Sequence, residues 1–394
     1  MRDNIRGTES VAVSVPKGGK LGRGIVFISV LTAIISAIIT CGCLSSFYDF
    51  SPSVKYPSLT PGPLPCIYES ADFTFPVFGG LQTVDVLVNS SVYRGAKETD
   101  KSAVLYDNLT REEWLPGYYE AFIFDSHHSE LYEEILSDLQ DIKKEESLDS
   151  DEYLELITVF VQSIEYNTND RLAEPKYPVE TVSEKSGDCD DKSILLAALL
   201  SHEGYNTSLF YFDNEGHMAV GVLAQGCSFK NTGYAYIETT NVTFVGVVPE
   251  ELTGGIKLES NPLVIPIGSG TKIYNSCEEV QYIERVRAHA QSEAEVLALR
   301  IEALADEENL LTSDINELKS RMDILMSHNN LREYNRFVPV YNSKISEYNR
   351  LLVEYNRLVD LYDENVRINN YILRHPYDRK GTYFRIKNQF PVAS

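Results

Sequence analysis

The chain has 394 residues, of which 43% are hydrophobic and 24% charged, and its formal net charge is −23. This length accommodates two or three domains with a buried core. The negative charge is spread along the chain and its body contains no basic cluster. Because phosphate binding depends on such clusters, we expect no nucleic-acid partner.

The first predicted element is an uncharged stretch of twenty residues, 25–44. A helix of that length spans roughly 30 Å, the thickness of the hydrocarbon core of a membrane. Basic residues are concentrated before it, which predicts 1–24 as a cytoplasmic tail and 25–44 as a transmembrane signal anchor. We therefore expect a single-pass protein of the cell membrane with its main body outside. Lipoprotein processing at Cys43 stays open as an alternative.

The next segments lead to the main domain. Five prolines make 45–65 an extended linker. Short strands are expected at the start of 66–277, followed by helices near 129–139 and 150–164. Apolar runs then predict strands at 207–212, 217–224 and 234–240, and prolines bracket a last run at 262–267 that is typical of an edge strand.

Four cysteines lie in the predicted external part: Cys66, Cys189, Cys227 and Cys277. None of them forms a Cys-x-x-Cys pair, so we expect no metal site and no cofactor. An external location permits disulfides. If Cys189 stays reduced, at most one bridge forms among the other three, and the pairing is left open.

The most informative motif is Gly-Asp-Cys-Asp-Asp-Lys at 187–192, directly before the apolar run 194–200. A thiol at the first turn of a helix faces the positive end of the dipole and unpaired N–H groups, which favour a thiolate. His217 opens one strand-like run and Glu238 lies within another. This order is typical of a thiol acyl-transfer triad, with Cys189 as nucleophile, His217 as base and Glu238 as the orienting carboxylate.

These motifs resemble the transglutaminase-like superfamily, specifically its prokaryotic or archaeal membrane-linked members. The resemblance covers 160–249 and rests on the segments 187–192, 199–205, 217–222 and 236–240. It implies a papain-like α+β core with Cys189 and His217 as the reactive pair. It departs at the third residue, where the commonest family pattern is Asp followed by Pro-Thr and this chain has Glu238 followed by two threonines. An oxyanion donor besides the Cys189 N–H would come from Gln162 or Tyr166.

Heptad spacing begins near residue 278. Leucines recur every seven residues at Leu297, Leu304, Leu311, Leu318 and Leu325, and tyrosines at Tyr334, Tyr341, Tyr348, Tyr355 and Tyr362. A short polar break at 327–330 separates the two rows, so we predict an antiparallel coiled-coil hairpin over 278–374 and a tail at 375–394. The tyrosines are expected to fill the seam. Oligomerisation through the coiled coil is left open.

Together these features predict the α+β fold class: a transglutaminase-like (papain-like) core with an N-terminal transmembrane helix and a C-terminal antiparallel coiled-coil hairpin. The predicted function is that of a membrane-anchored, outward-facing thiol enzyme that acts on amide bonds of a protein or peptide, as a peptidase, amidase or transglutaminase-type acyltransferase. The alternative is a non-catalytic binding or scaffold module whose working part is the coiled-coil arm.

Overall fold

The computed structural model describes residues 53–63, 65–167, 174–252 and 255–389 of an α+β chain. Its strands are β1 (Val54–Lys55), β2 (Tyr68–Val77), β3 (Gly80–Asn89), β4 (Val104–Leu105), β5 (Glu165–Tyr166), β6 (Ser186–Gly187), β7 (Thr207–Phe212), β8 (His217–Leu223), β9 (Tyr234–Ile237) and β10 (Leu263–Ile267). Its helices are α1 (Ser90–Glu98), α2 (Arg111–Ile123), α3 (Ser129–Glu145), α4 (Ser150–Ser163), α5 (Pro178–Glu184), α6 (Cys189–His202), α7 (Cys277–Ser327), α8 (Leu331–Arg374) and α9 (Arg379–Gln389).

The central sheet has four antiparallel strands in the order β10-β7-β8-β9. In the β7–β8 hairpin Phe212 pairs with His217, and Val220 of β8 pairs with Ile237 of β9. Alternate residues of a strand share a face. The register therefore places Tyr236 and Glu238 on the same face of the sheet as His217.

The strands β7 and β8 are buried along almost their whole length because both faces of the sheet are covered. Helix α6 packs against one face. The other face is covered by an aromatic cluster made of Phe210, Phe212, Ala219 and Tyr236, with Phe229 and Leu258 packed against it. An apolar run without alternation is what a strand buried on both faces requires.

A second layer comes from the ten-residue strands β2 and β3, which form a hairpin of their own. Their residues alternate between buried and exposed, as expected where one face packs and the other meets water. Phe73 and Phe75 of the buried face contact the ring of Phe160 on α4 edge-on, at centroid distances of 5.3 and 5.8 Å. The hairpin thereby covers the side of α4, the helix that also packs against α6.

The chain is α+β, as predicted, but the predicted fold class is wrong where it includes a transmembrane helix. Within the described ranges, no helix is both long and apolar enough to cross a membrane. Helix α6 is buried in the core and has 14 residues, a length of about 21 Å against roughly 30 Å of hydrocarbon. The longer helices α7 and α8 carry charged residues throughout. The predicted span 25–44, the tail 1–24 and most of the linker 45–65 lie outside the described residues.

The C-terminal region is an arm of two long helices, α7 with 51 residues and α8 with 44. Both exceed about 60 Å in length at 1.5 Å per residue. Leu304 of α7 packs with Leu351 and Leu358 of α8 in a buried seam. Tyr348 lies beside that seam and donates its hydroxyl hydrogen to Glu308 at 2.9 Å. Pro339 lies inside α8, so the turn between the helices falls before it, at 328–330.

The base of the arm is joined to the core by a disulfide and by buried ion pairs. Cys277, the first residue of α7, is bonded to Cys227 in the loop after β8, which resolves the pairing that the sequence left open. Arg379 of α9 is buried and pairs with Glu155 of α4 at 2.6 Å and with Glu279 of α7. Helix α9 thus connects the arm to α4 through a charge removed from water.

Candidate active site

Cys189 lies at the first position of α6, where the preceding turn is fixed by its own side chains. The carboxylate of Asp188 accepts hydrogen bonds from the N–H groups of Asp190 and Asp191, at 3.0 and 3.2 Å, and so caps the helix. Asp191 in return accepts the Asp188 N–H at 3.1 Å. A Cβ at Gly187 would lie 2.7 Å from the Cβ of Asp191, so this tight turn requires glycine. The cap does not use the N–H of Cys189, which is left for a ligand.

Helix α6 is docked on the first residues of β8. Ser193, one turn after Cys189, donates its hydroxyl hydrogen to the Met218 carbonyl at 3.2 Å. The Met218 N–H is directed at the Cys189 thiol and acts to lower its pKa. Because His217 directly precedes Met218, these contacts bring the predicted nucleophile and the predicted base to adjacent places in the fold.

The predicted base and the predicted carboxylate meet in a buried cluster. Nε2 of His217 lies 3.3 Å from Oε2 of Glu238 and 3.3 Å from the hydroxyl oxygen of Tyr236. The Tyr236 hydroxyl donates to the same Oε2 at 2.5 Å. All three side chains are buried. Since Nε2 faces the carboxylate, Nδ1 is the imidazole nitrogen on the other side of the ring.

Glu238 is held as an anion by donors around both of its oxygens. Its Oε1 accepts from the N–H groups of Thr239 and Thr240, at 3.0 and 2.9 Å, and from the Thr240 hydroxyl at 2.7 Å. Burial by itself raises the pKa of Glu238, but the hydrogen bond and charge of His217, with Tyr236 and Thr240, bring it down to about 2. The carboxylate is therefore ionised wherever the protein is folded near neutral pH.

The backbone of Glu238 is anchored to α4 by the side chain of Gln162, and the end of α4 is in turn held by Lys192 of α6. Gln162 donates from Nε2 to the Glu238 carbonyl at 2.7 Å and to the Thr243 carbonyl at 3.2 Å. Lys192 donates from Nζ to the carbonyls of Gln162 and Ile164, at 3.0 and 2.7 Å. Burial lowers the pKa of Lys192 to about 8. Gln162 is thus engaged in holding the carboxylate loop and does not fill the oxyanion role considered for it. The other candidate, Tyr166, pairs with Gly187 through the backbone of β5 and β6.

The surroundings of the Cys189 thiol disfavour its anion. Burial raises the pKa of the thiol well above its usual value, and the nearby charges of Asp190 and Asp188 raise it further. The thiol donates to Oδ1 of Asp190 at 3.4 Å. The sequence predicted a thiolate favoured by the helix dipole. In the folded chain burial first, and the carboxylates of Asp190 and Asp188 after it, oppose the effect of the helix dipole, so the resting group is a neutral thiol that needs a base.

An aromatic wall, which the sequence did not reveal, lies beside the thiol. It consists of Tyr118 and Tyr119 of α2 and Tyr211 of β7, with ring centroids of Tyr119 and Tyr211 6.5 Å apart. The Cys189 charge adds to the burial that raises the pKa of Tyr119. At the rim, Arg111 pairs with Asp213 and lies 5.8 Å from the centroid of the Tyr211 ring.

Sequence reasoning also missed Tyr236, although a local signal pointed to it. Tyr236 precedes Glu238 by two residues in an apolar run, a spacing that puts both side chains on one face of a strand. By contrast, α2 lies about 70 residues before Cys189 in the chain, and only the packing of α2 against α6 brings its tyrosines to the thiol.

One group in the described part of the chain has ligand atoms placed for a metal ion. Asp188, Cys189 and Asp190 offer oxygen and sulfur atoms within 4.8 Å of one another. Asp188 is already occupied with the helix cap. An ion held there would share the Asp188 carboxylate with the helix cap.

No protein-family model, no curated protein and no solved structure matches this chain. The resemblance to the transglutaminase-like superfamily therefore stays a prediction.

Proposed function

We propose that this protein is a thiol enzyme that acts on amide bonds of a peptide or protein, with Cys189 as the nucleophile, His217 as the base and Glu238 as the carboxylate that orients the imidazole. The observation that carries the proposal is the buried cluster of His217, Tyr236 and Glu238, placed next to a cysteine at a capped helix start. A buried anion this well supplied with donors serves to fix and charge-balance an imidazole.

The proposed reaction begins from the neutral thiol. Nδ1 of His217 takes the thiol proton as Sγ of Cys189 bonds to the carbonyl carbon of the substrate. Glu238 stabilises the imidazolium that forms. The negative charge on the carbonyl oxygen is directed to the free N–H of Cys189 and the positive end of α6. The C–N bond then breaks, and the leaving amine takes the proton from the imidazolium.

The second half returns the enzyme to its starting state. Water gives a proton to Nδ1 of His217 as its oxygen bonds to the thioester carbon. The carbon–sulfur bond breaks, the acid leaves, and Cys189 recovers its proton. An amine in place of water gives a new amide, so hydrolysis and acyl transfer share every enzyme group in the scheme. Hydrolysis is the favoured outcome because water is always present.

One observation favours a second candidate function, that of a non-catalytic binding module with the arm as its working part. The raised pKa of the buried Cys189 thiol is what an inert core cysteine also has. The two candidates differ in what His217 does. In the enzyme it changes the reactivity of Cys189, and in the binding module it does not.

The test is the reaction of the full-length chain with p-nitrophenyl acetate, an activated ester whose acetyl group is small and whose leaving group is easily displaced. We expect a burst of p-nitrophenol and an acetyl group mapped by mass spectrometry to Cys189. The His217→Ala variant should lose about 100-fold or more in acylation rate, the usual contribution of a general base. Ethanolamine is then added as an acyl acceptor. Transfer of the acetyl group to its amine gives an amide, whereas hydrolysis gives acetate, so the product distinguishes the two reactions.

Cys66 supplies the internal control, since it is an exposed free thiol. Its acetylation should be slow and the same in both proteins. If Cys189 is not acetylated, or is acetylated equally without His217, the chain is not a thiol enzyme and the binding-module function stands.

A further inference from the structure

Helix α8 has one more apolar row than a two-helix hairpin uses. Its heptad positions are fixed by the seam with α7, where Tyr355 occupies position a and the buried Leu358 position d. Position e is usually charged in a two-stranded coiled coil, whereas helices that pack in a bundle are apolar at a, d and e. The sequence of α8 is therefore that of a helix with more than one partner. Its e row is aliphatic in six successive heptads: Val338, Ile345, Leu352, Val359, Val366 and Leu373.

This e row is left uncovered by the described part of the chain. None of its six residues belongs to a buried apolar cluster there, and Leu352 and Leu373 are 37% and 56% exposed. The two helices of the arm run antiparallel, so the e positions of α7 lie on the same side of the arm. We call this side, made of the e rows of both helices, the e face. The e positions of α7 are mostly small and leave the e row of α8 open: Ala298, Ala305, Thr312, Lys319 and Met326.

A row of asparagines borders the e row at position b of α8. Asparagine is a poorer helix former than the lysine, arginine and glutamate that usually fill exposed positions. Repeating it at one position therefore weakens a helix unless the side chain makes a contact. Because its amide both donates and accepts hydrogen bonds, a row of asparagines is complementary to a second row of the same kind. Position b is exposed in six heptads, five with asparagine and one with aspartate: Asn335, Asn342, Asn349, Asn356, Asp363 and Asn370.

We infer that the e face is a dimerisation surface, on which the arm of a second copy of this chain packs to form a four-helix bundle. The net charge of −23 makes two copies repel each other. The e and b rows of α8 together contain one charged residue, Asp363, so two copies can approach there with little repulsion. The inference goes beyond the chemistry proposed for Cys189 and does not depend on it.

The position of the one charged residue indicates that the two arms run in opposite directions. Parallel arms would place Asp363 beside Asp363 of the second copy, and like charges in contact are destabilising. A two-fold axis between Leu352 and Val359 instead places Asp363 beside Asn349 of the second copy, whose amide can donate to it. The same axis brings Asn356 next to Asn356 of the second copy.

Antiparallel arms also bring the tip of one arm level with the base of the other. At the tip, Met326 is 48% exposed and Lys319 lies one heptad before it. At the base, an open groove is lined by Val248, Leu373 and Glu250. The apolar and the charged residue of the tip thus each find a complementary residue in the groove of the second copy. A two-fold axis makes this contact twice.

The e face is large enough for a stable dimer. The span 338–373 is roughly 50 Å long, and two helices are about 20 Å wide. This amounts to on the order of 1,000 Å² per copy, against the roughly 800 Å² per partner of a standard specific interface.

The experiment measures cross-linking between copies of the full-length chain, in which Cys66→Ser removes the exposed free thiol. Asn356→Cys puts a thiol next to the proposed axis. We expect a short bismaleimide to join two copies at this position, with the linked peptides identified by mass spectrometry. Asn342→Cys should join to Asn370→Cys when the two proteins are mixed, and Asn370→Cys should not join to itself.

A charge placed on the e row tests whether the link depends on this face. Leu352→Lys, added to the Asn356→Cys protein, should lower the yield of linked dimer about tenfold or more, because it puts an unpaired charge in the centre of the contact. The matched control is Val353→Lys, which adds the same charge one residue later, at a side chain that is 70% exposed. Its yield should stay within about twofold, because an exposed charge costs little. Circular dichroism checks that both variants keep their helices, and Leu352→Gln replaces Leu352→Lys if that variant does not fold.

The inference fails if Asn356→Cys gives no linked dimer, or if the two lysine variants give equal yields. A self-link at Asn370→Cys as strong as that at Asn356→Cys would mean that the arms are parallel and would overturn the antiparallel arrangement.

Discussion

The core and the arm use the same charged residue types in opposite ways. In the core, some charges are buried and held by partners from more than one element, as Glu238 and Arg379 are. In the arm, charges are many and exposed, and pairs such as Lys344 with Asp314, at 2.7 Å, lie in water. A buried charge cannot exchange its partner for solvent, whereas an exposed one can. Substitutions that remove one partner should therefore act strongly in the core and weakly in the arm.

The largest effect is expected for Arg379→Met, which leaves Glu155 buried without its cation. Breaking such a pair costs about 3–5 kcal/mol of unfolding free energy, measured by urea denaturation. Burial already raises the pKa of Glu155 to about 7 although Arg379 acts to lower it. The variant raises it further, so the loss should be nearly constant below pH 7, where the Glu155 carboxyl is protonated in both folded proteins, and should grow as the pH rises above about 7. Lys380→Met is the matched control. Lys380 is next in sequence and its side chain is 43% exposed, although its partner Glu152 is buried, so its loss should be about 1 kcal/mol and well below that of Arg379→Met. An equal loss of unfolding free energy in Arg379→Met and Lys380→Met would mean that burial of an ion pair does not determine the cost of breaking it.

The second effect concerns Glu238, whose pKa in the folded chain is about 2. A lowered pKa stabilises the fold above the unfolded value of about 4.3, and this stability is lost as the pH falls from there towards 2. The difference in unfolding free energy between the unsubstituted protein and Glu238→Gln should thus shrink by about 2 kcal/mol between pH 6 and pH 2.5. Chemical denaturation at each pH measures it. A difference independent of pH would mean that Glu238 is not held as an anion.

A smaller effect is expected for Tyr236→Phe, which removes the hydroxyl between His217 and Glu238. The loss of that hydrogen bond to a buried charge should cost about 1.5–3 kcal/mol and slow acylation of Cys189 about tenfold, because the imidazole loses one of its two supports. Burst kinetics and urea denaturation give the two values. Tyr234→Phe is the control, since Tyr234 lies on the same strand and donates to Asn206 at 3.0 Å, away from Cys189. Its acylation rate should be unchanged. Equal slowing in both variants would assign Tyr236 a purely structural role.

The smallest effect is expected in the arm, for Lys344→Ala. The ion pair with Asp314 is exposed and open to screening by salt. We expect no measurable change in the thermal unfolding midpoint at physiological salt. A clear drop in the unfolding midpoint would mean that removing a charge from the arm destabilises the protein as removing a buried charge from the core does.

Local sequence patterns determined several features because they depend on neighbours within a few residues. The heptad rows lie in two long helices since side chains spaced by seven fall on one stripe of a helix. Asp188 caps α6 because a short carboxylate side chain reaches the next backbone N–H groups. The place of Cys189 at the helix start follows from the same turn. The register of β8 and β9, by contrast, brings His217 to Glu238 across a loop that no local pattern fixes.

Only the tertiary structure decided the features that join distant segments. The neutral state of the thiol depends on burial, which is a property of the whole packed core. The tyrosines of α2 reach Cys189 through packing, and the pairing of Cys227 with Cys277 follows from where the arm begins. The transmembrane helix in the predicted fold class was inferred from the length of the uncharged run 25–44 and the basic residues before it, and that run lies outside the described residues. The order of residues at 187–192 placed a thiol at the start of a capped helix. The packing of distant segments around that thiol determined that it is neutral in the folded chain.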